Sequence, residues 1–163
     1  MSNTPRTSND DYLVKIATET VYGRYIGVFQ DVLDRISDIN YELLKIRKQL
    51  KYLQPKEDGA IMLEFKNCST DPELFCGGCP HPRFRKWVNP TKYKKSAKSD
   101  WVRVEIDQPL KHLKRTGAFT ICHPEVKRLI SEALGLMEER GRYLKPAGIL
   151  KAQFTRSSKK REI

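Results

Sequence analysis

The chain has 163 residues, of which 39% are hydrophobic and 31% charged. This length and composition predict one domain, or one small domain with an appendage, with a modest core and a very polar surface. No run of about 18 apolar residues occurs, which excludes a membrane-spanning helix, and residues 1–12 lack the pattern of a secretory signal. We therefore expect a cytoplasmic protein whose thiols are reduced.

The net charge of +11 is unevenly distributed along the chain. Residues 1–60 contain nine Lys and Arg and nine Asp and Glu, whereas residues 61–163 contain 22 and 11. A neutral first part and a basic second part favour assembly by the former and contact with a polyanion by the latter. The alternative is charge that serves only solubility.

Residues 1–11 are polar and are predicted to be disordered, and residues 12–55 are predicted to form one long amphipathic, coiled-coil-like helix. From Tyr22 to Leu53, apolar residues recur at alternating steps of three and four, which is an a/d heptad repeat. Pro55 ends the pattern.

An a/d seam must be buried, either against the core of its own domain or against a second copy of the chain. The strict 3.5-residue period favours a homodimer. The predicted dimer seam consists of Phe29, Val32, Ile36, Ile39, Leu43, Ile46, Leu50 and Leu53.

Residues 56–145 are predicted to form a small domain of strands and one helix, and residues 146–163 a basic tail. The segments AIMLEF, WVRVEI and GAFTIC are strand candidates for a small antiparallel sheet. Pro124 and Glu125 suit the first turn of a helix that continues to about Tyr143. The predicted fold is therefore α+β, with a long connection between the first two strands that needs a clamp.

A cluster of cysteine and histidine residues lies in that long connection. Cys76 and Cys79 form a C-x-x-C pair, the spacing typical of half a zinc site. Cys68 and His81 would complete four ligands, and Cys122 and His123 are alternates for either. We predict a structural zinc site. A reduced cysteine pair in a loop and a redox C-x-x-C motif are the other interpretations.

A basic-aromatic run follows the cysteines and contains no acidic residue between positions 83 and 99. Lys and Arg neutralise phosphates, and aromatic rings stack on exposed bases. The run is predicted to bind DNA, either single- or double-stranded, and Lys45, Arg47, Lys48 and Lys51 extend this surface. Alternatively, the run is a solvated loop whose Trp87 belongs to the core. The predicted nucleic-acid-binding residues are Arg83, Phe84, Arg85, Lys86, Trp87, Lys92, Tyr93, Lys94, Lys95 and Lys98.

The sequence contains no recognisable catalytic motif. The P-loop, H-E-x-x-H and G-x-S-x-G patterns are absent, as is the paired histidine motif of nicking enzymes. Glu64, Glu105 and Asp107 lie on or beside predicted strands, as metal-binding carboxylates of nucleases do. We expect a protein that is not an enzyme, and retain a metal-dependent nuclease as a third hypothesis.

The order of these features resembles that of MobI-like auxiliary mobilisation proteins of conjugative plasmids and integrative elements. The resemblance covers residues 22–145 and rests on CGGCPHPRF, the basic-aromatic run and the flanking helices. It implies a DNA-binding auxiliary factor that acts at an origin of transfer with a separate relaxase. By this resemblance the important residues are Cys76, Cys79, His81, Arg83, Phe84 and Trp87. A protein–protein adaptor that uses the coiled coil and zinc loop is the alternative.

Overall fold

The computed structural model describes residues 8–71, 76, 78–89 and 101–159. The chain divides into two compact units, Met1–Asp38 and Ile39–Ile163, called here the N-terminal and C-terminal units. The predicted α+β class is confirmed: a long N-terminal helix is followed by a three-stranded antiparallel sheet and a C-terminal helix.

Helix α1 spans Ser8–Leu53. Its end agrees with the stop predicted from Pro55, but its start is earlier than predicted. Residues 8–11 are helical, so the prediction of disorder is wrong for them, and residues 1–7 lie outside the described part.

Gln54 joins the end of α1 to the first strand. Its side-chain amide donates to the carbonyl oxygens of Leu50, at 3.0 Å, and Ile61, at 2.6 Å. Its amide oxygen accepts from the N–H of Ile61 at 2.9 Å. Because helix ends leave backbone carbonyls without partners, this buried glutamine both caps α1 and fixes where the strand begins.

The core of the C-terminal unit forms where α1, the sheet and the C-terminal helix meet. One stripe of α1 contributes Ile39, Leu43, Ile46 and Leu50, each at most 3% exposed. The other buried members of the cluster are Ile61, Leu63, Phe84, Ile106, Val126, Leu129, Ile130 and Ala133. Burial of this apolar surface is the dominant favourable term in folding.

The predicted dimer seam is therefore wrong for its second half. Ile39, Leu43, Ile46 and Leu50 are buried within a single chain, and Leu53 packs partly against the same core. They are not accessible to a second copy, because the chain's own sheet and second helix cover them. In the N-terminal unit, Phe29 is 39% exposed, Val32 and Ile36 are half-buried, and Tyr22 and Tyr25 are exposed.

The sheet consists of β1 (Ile61–Lys66), β2 (His81–Val88) and β3 (Val102–Glu105), in the order β1-β2-β3. Strands β1 and β3 fall in predicted segments. Strand β2 is a correction, because the basic-aromatic run up to Val88 is a central strand and not a loop. Its burial alternates, with Pro82, Phe84 and Val88 buried, as expected for a strand with one face on a core.

The predicted strand GAFTIC is also wrong. Gly117–Phe119 form a short 3-10 helix, and Phe119 is buried. Gly117 has a φ of +64°, a conformation that glycine adopts readily. The Thr120 hydroxyl donates to the carbonyl oxygen of Gly117 at 2.9 Å, which holds the segment in a turn.

Helix α2 spans His123–Lys159, with Pro146 inside it. The predicted end near Tyr143 is therefore too early, and most of the predicted basic tail is helical. Proline lacks an N–H and so removes one helical hydrogen bond, but α2 continues past it. Among the described residues, no helix combines the length and apolar character needed to cross a membrane.

Candidate metal centre

The register of the sheet brings four potential metal ligands to one end of the β1–β2 pair. Lys66, the last residue of β1, is paired with His81, the first residue of β2. Cys68 follows β1 by two residues, and Cys79 precedes β2 by two. Because antiparallel pairing holds the two strand ends together, the connection must return its cysteines to the same place.

Cys68, Cys76, Cys79 and His81 form one cluster, as predicted. Their ligand atoms all lie within 4.8 Å of one another. The Sγ atom of Cys79 is 3.0 Å from that of Cys68 and 3.6 Å from that of Cys76. The Sγ atom of Cys76 lies 2.8 Å from Nε2 of His81. The cluster can hold a metal ion.

Backbone N–H groups point at the sulfurs, as is common where thiolates bind a metal. The N–H of Cys76 donates to Cys68 Sγ at 3.2 Å, and the N–H of Cys68 donates to Cys79 Sγ at 3.4 Å. The bond from the Cys76 N–H, followed by that with Cys79, lowers the pKa of the Cys68 thiol below its usual value. Partial burial is the main cause that raises the pKa of Cys79.

Desolvation lowers the pKa of His81, and the cations Arg140 and Arg83 act in the same direction. A lowered pKa favours the neutral imidazole, the form whose ring nitrogen can bind a metal. The cluster thus offers up to three thiolates and a neutral imidazole. This is a soft donor set of the kind that binds zinc and other thiophilic metals.

Arg140 on α2 connects this cluster to both helices. Its side chain is only 4% exposed. Its guanidinium donates to the carbonyl oxygens of Gly78, at 2.8 Å, and Pro80, at 3.1 Å. It also donates to Oδ1 of Asn40 on α1 at 2.8 Å. These carbonyls flank Cys79, so one cation holds the ligand-bearing turn against the core. Arg140 is not identifiable from the sequence, because no local motif distinguishes it.

Gly78 allows a close approach between the ligand-bearing turn and α2. A Cβ atom on this residue would lie 3.0 Å from Cδ1 of Leu144 and 3.4 Å from Cε1 of His81. The side chains of Leu144 and His81 would have to shift by a few tenths of an ångström to accept a larger residue here. The turn and α2 are therefore tightly packed at Gly78.

No model of a known protein family matches this chain, and comparisons with curated proteins and with solved structures give no significant match.

The alternate ligands Cys122 and His123 lie elsewhere, at the start of α2. The Cys122 thiol donates to the carbonyl oxygen of Phe119 at 3.4 Å. In the described residues, the one group of cysteine, histidine and acidic side chains with metal-binding geometry is the four-residue cluster. The alternates are therefore not part of it.

Several residues of the predicted nucleic-acid surface have structural contacts instead. Phe84 is buried in the core, so its prediction as a base-stacking residue is wrong. Arg83 pairs with Glu105, and Arg85 pairs with Glu64 at 3.4 Å. The first-choice phosphate ligands thus already have carboxylate partners on the same face of the sheet.

The remaining predicted contacts divide between the sheet and the undescribed part of the chain. Lys86 is paired with Ile61 and Val104, so it points to the face opposite that of Arg83 and Arg85. Trp87 is half-buried. The predicted residues Lys92, Tyr93, Lys94, Lys95 and Lys98 lie outside the described residues.

Two of the three carboxylates considered for a nuclease, Glu64 and Glu105, are engaged by arginines. Glu64 accepts from Arg103 at 2.6 Å as well as pairing with Arg85, and Glu105 accepts from Arg83. A divalent cation at this place would have to displace these arginines.

An apolar cavity of about 210 Å³ lies beside the end of α1. Both tryptophans of the chain line it, Trp87 and Trp101, with ring centroids 6.5 Å apart and planes at 83°. The Nε1–H group of Trp87 contacts Sδ of Met62. Lys51 and Lys56 are also lining residues. In the sequence, only the two tryptophans beside strand segments point to this cavity. Its other lining residues include the end of α1 and the turn after it, which no local pattern brings together with the tryptophans.

Proposed function

We propose that this chain is a non-enzymatic nucleic-acid-binding protein. The observation that carries the proposal is the charge of the C-terminal unit. Residues 39–163 contain 27 Lys and Arg and 14 Asp and Glu, a net charge of +13, whereas residues 1–38 carry −2. A field of one sign on a compact unit attracts polyanions and is the electrostatic signature of nucleic-acid binding.

The end of α1 is the best supported phosphate-contacting surface. Arg47, Lys48, Lys51 and Lys56 are exposed, and none has an ion-pair partner within the described part of the chain. Arg47 and Lys51 are four residues apart, and Lys48 and Lys51 three, so these cations are neighbours on the helix surface. They replace Arg83 and Arg85 as the first contacts, since those two must leave Glu105 and Glu64 to bind phosphate.

We propose that the ion held by Cys68, Cys76, Cys79 and His81 is zinc. Four protein ligands fill a tetrahedral site and leave no position open for catalysis, which makes the role structural. Three thiolates, a neutral imidazole and Zn²⁺ carry a net charge of −1. The guanidinium of Arg140 offsets that charge from its buried position. Metal ligation contributes free energy that orders the connection between β1 and β2.

The resemblance to MobI-like proteins adds a cellular role to the proposal: assistance to a relaxase at an origin of transfer. A transfer assay with the Arg47→Gln, Lys48→Gln double variant tests this role. Normal transfer by this variant, despite its weakened DNA binding, would contradict the role.

The test of DNA binding is fluorescence anisotropy with labelled duplex and single-stranded DNA across a salt series. Each lost phosphate contact reduces the slope of log K against log salt by about one. The Arg47→Gln, Lys48→Gln double variant should therefore bind more weakly and reduce the slope by about two.

The matched control is the Lys111→Gln, Lys127→Gln double variant, which removes the same charge at exposed positions elsewhere in the unit. We expect its slope to stay close to that of the unaltered chain. Equal losses for both double variants would contradict a localised surface. An absence of DNA binding at low salt would refute the proposed function.

Protein–protein assembly is a second candidate function, favoured by the apolar surface of the N-terminal unit. Tyr22, Tyr25, Val28, Phe29 and Leu33 are all exposed there. Exposed apolar surface of this extent is typical of an interaction site. The unbroken 3.5-residue repeat through Phe29, Val32 and Ile36 makes a second copy of α1 the best matched partner.

A further inference from the structure

The cavity beside the end of α1 has the shape and composition of a site for one planar ring. Its volume of about 210 Å³ is below the range of about 300–1,000 Å³ for drug-sized ligands. Trp87 and Trp101 meet at 83°, so they form a corner in which a ring can stack on one indole and meet the edge of the other. Trp101 is 43% exposed, which leaves this corner open to solvent.

Met62 and Pro55 complete the apolar walls of the cavity. Trp87 is held in position by its contact with Met62 and by the Arg103 guanidinium, which lies 5.6 Å from the Trp87 ring centroid. A rigid aromatic wall is the feature that protein sites for single nucleobases share, because every base has a face that stacks on it.

The charge at the cavity rim indicates what the ring is attached to. Lys51 and Lys56 both line the cavity and are exposed, and no Asp or Glu is among its described lining residues. Arg47 and Lys48 lie one helical turn before Lys51. A neutral aliphatic side chain from a partner protein would gain nothing from these cations, whereas the phosphates on either side of a nucleobase would.

A base inside a duplex is stacked on both faces and cannot enter such a corner without being flipped out. We propose that this cavity binds one unpaired nucleobase of single-stranded nucleic acid, with Trp101 as the stacking ring and Lys51 and Lys56 on the adjoining phosphates. The inference rests on the proposed nucleic-acid-binding function and adds a preference for single strands.

The chain provides its own probe, because its two tryptophans both line this cavity. An unlabelled oligothymidylate should quench tryptophan fluorescence of the zinc-loaded full chain, and a duplex of the same length should leave it nearly unchanged. Trp101→Ala should weaken oligothymidylate binding by at least about fivefold, the lower end of the effect of removing a stacking ring. Duplex binding by this variant should match that of the unaltered chain.

Tyr52→Ala is the matched control. Tyr52 is an aromatic residue on α1 next to Lys51. It is 90% exposed and does not line the cavity, so the affinities for oligothymidylate and for duplex should be unchanged. If the Trp101→Ala variant does not fold, titration of the unaltered chain with two small ligands still tests the proposal. Thymidine monophosphate should quench its tryptophan fluorescence, and inorganic phosphate should not.

The possible failures are distinguishable. Suppose that the chain binds DNA with the salt dependence expected of phosphate contacts. If single strand and duplex then quench the fluorescence equally, or Trp101→Ala has no effect, the cavity proposal alone is overturned. No binding of either DNA at low salt overturns the proposed function together with it. Quenching by inorganic phosphate as strong as that by the nucleotide would also refute base recognition.

Discussion

Arg140 shows how much one side chain can determine in a small protein. A buried cation is costly unless it is paired, and here its partners are two carbonyls of the ligand-bearing turn and the amide oxygen of Asn40. Burial lowers its pKa, whereas the neighbouring thiols of Cys76 and Cys79 act in the opposite direction. The arginine and the cysteines therefore stabilise one another.

We predict that Arg140→Met lowers the free energy of unfolding by about 3 kcal/mol, because two carbonyls and an amide lose a charged donor. It should also weaken zinc binding by about tenfold, as loss of a residue that orients the ligands usually does. Urea unfolding and competition with a colorimetric chelator measure the two effects. Arg142→Met, which removes an exposed arginine of the same helix, should change neither. Equal zinc affinities for both variants would show that Arg140 does not support the centre.

The four residues of the cluster were predictable because their spacing is local, whereas Arg140 was not. Cys76 and Cys79 are separated by two residues, and His81 is two further on, so sequence alone indicates that they can share an ion. Arg140 is 60 residues from Pro80 in sequence, within EERGRY, a segment typical of any solvated helix. Only the packing of α2 beside the sheet brings it to the cluster.

At the scale of elements, the apolar repeat of α1 serves two purposes along one helix. In the C-terminal unit it is buried by β1, β2 and α2 partners such as Leu63, Phe84 and Ile130. In the N-terminal unit the same repeat is exposed around Phe29. A heptad pattern therefore predicted correctly that α1 is amphipathic, but it carries no information on which partner covers each part.

We predict that the N-terminal part of α1 mediates dimerisation. The unaltered chain should sediment as a dimer, and Phe29→Asp should sediment as a monomer, because it places a charge in the a/d seam. Val28→Asp adds the same charge next to the seam, on an exposed position of the helix, and should remain dimeric. Sedimentation velocity measures all three. A monomeric unaltered chain, or dissociation of both variants, would contradict this interface.

Strand β2 is not evident from the sequence because its basic residues and proline mask the two-residue alternation of a strand. The buried positions Pro82, Phe84 and Val88 alternate correctly, but Lys86 interrupts them and Pro82 lacks an N–H. The positions between them are occupied by the half-buried Arg83 and Arg85, whose charge is typical of a solvated loop. Their alternation with buried residues, and not their charge, was the signal for a strand.

For the molecule as a whole, the candidate metal cluster and the core are connected through the packing of α2. The ligand-bearing turn contacts α2 through Gly78, Leu144 and Arg140, so disorder in the turn exposes part of the helix. A structure of this kind should lose much of its stability when the metal is removed.

We predict that chelation lowers the thermal midpoint by about 10–20 °C, given about 4 kcal/mol of stabilisation at a thousandfold excess of zinc over its Kd. Added zinc should restore the midpoint and magnesium should not, because the ligands are thiolates. Cys79→Ser should lose the bound ion. Cys122→Ser, outside the cluster, should retain one zinc per chain. Elemental analysis that finds no metal in the unaltered protein, with a chelator-insensitive midpoint, would refute the centre.

The order in which the core residues are synthesised has a consequence for the nascent chain. Ile46 of the α1 stripe precedes Val126 of α2 by 80 residues in the sequence. At a translation rate of about 5–20 residues per second, the stripe leaves the ribosome about 4–16 seconds before the helix that covers it. During that interval the cysteines and His81 already follow α1 and can acquire their ion first. Co-translational metal uptake would then order the sheet, and α2 would close the core last.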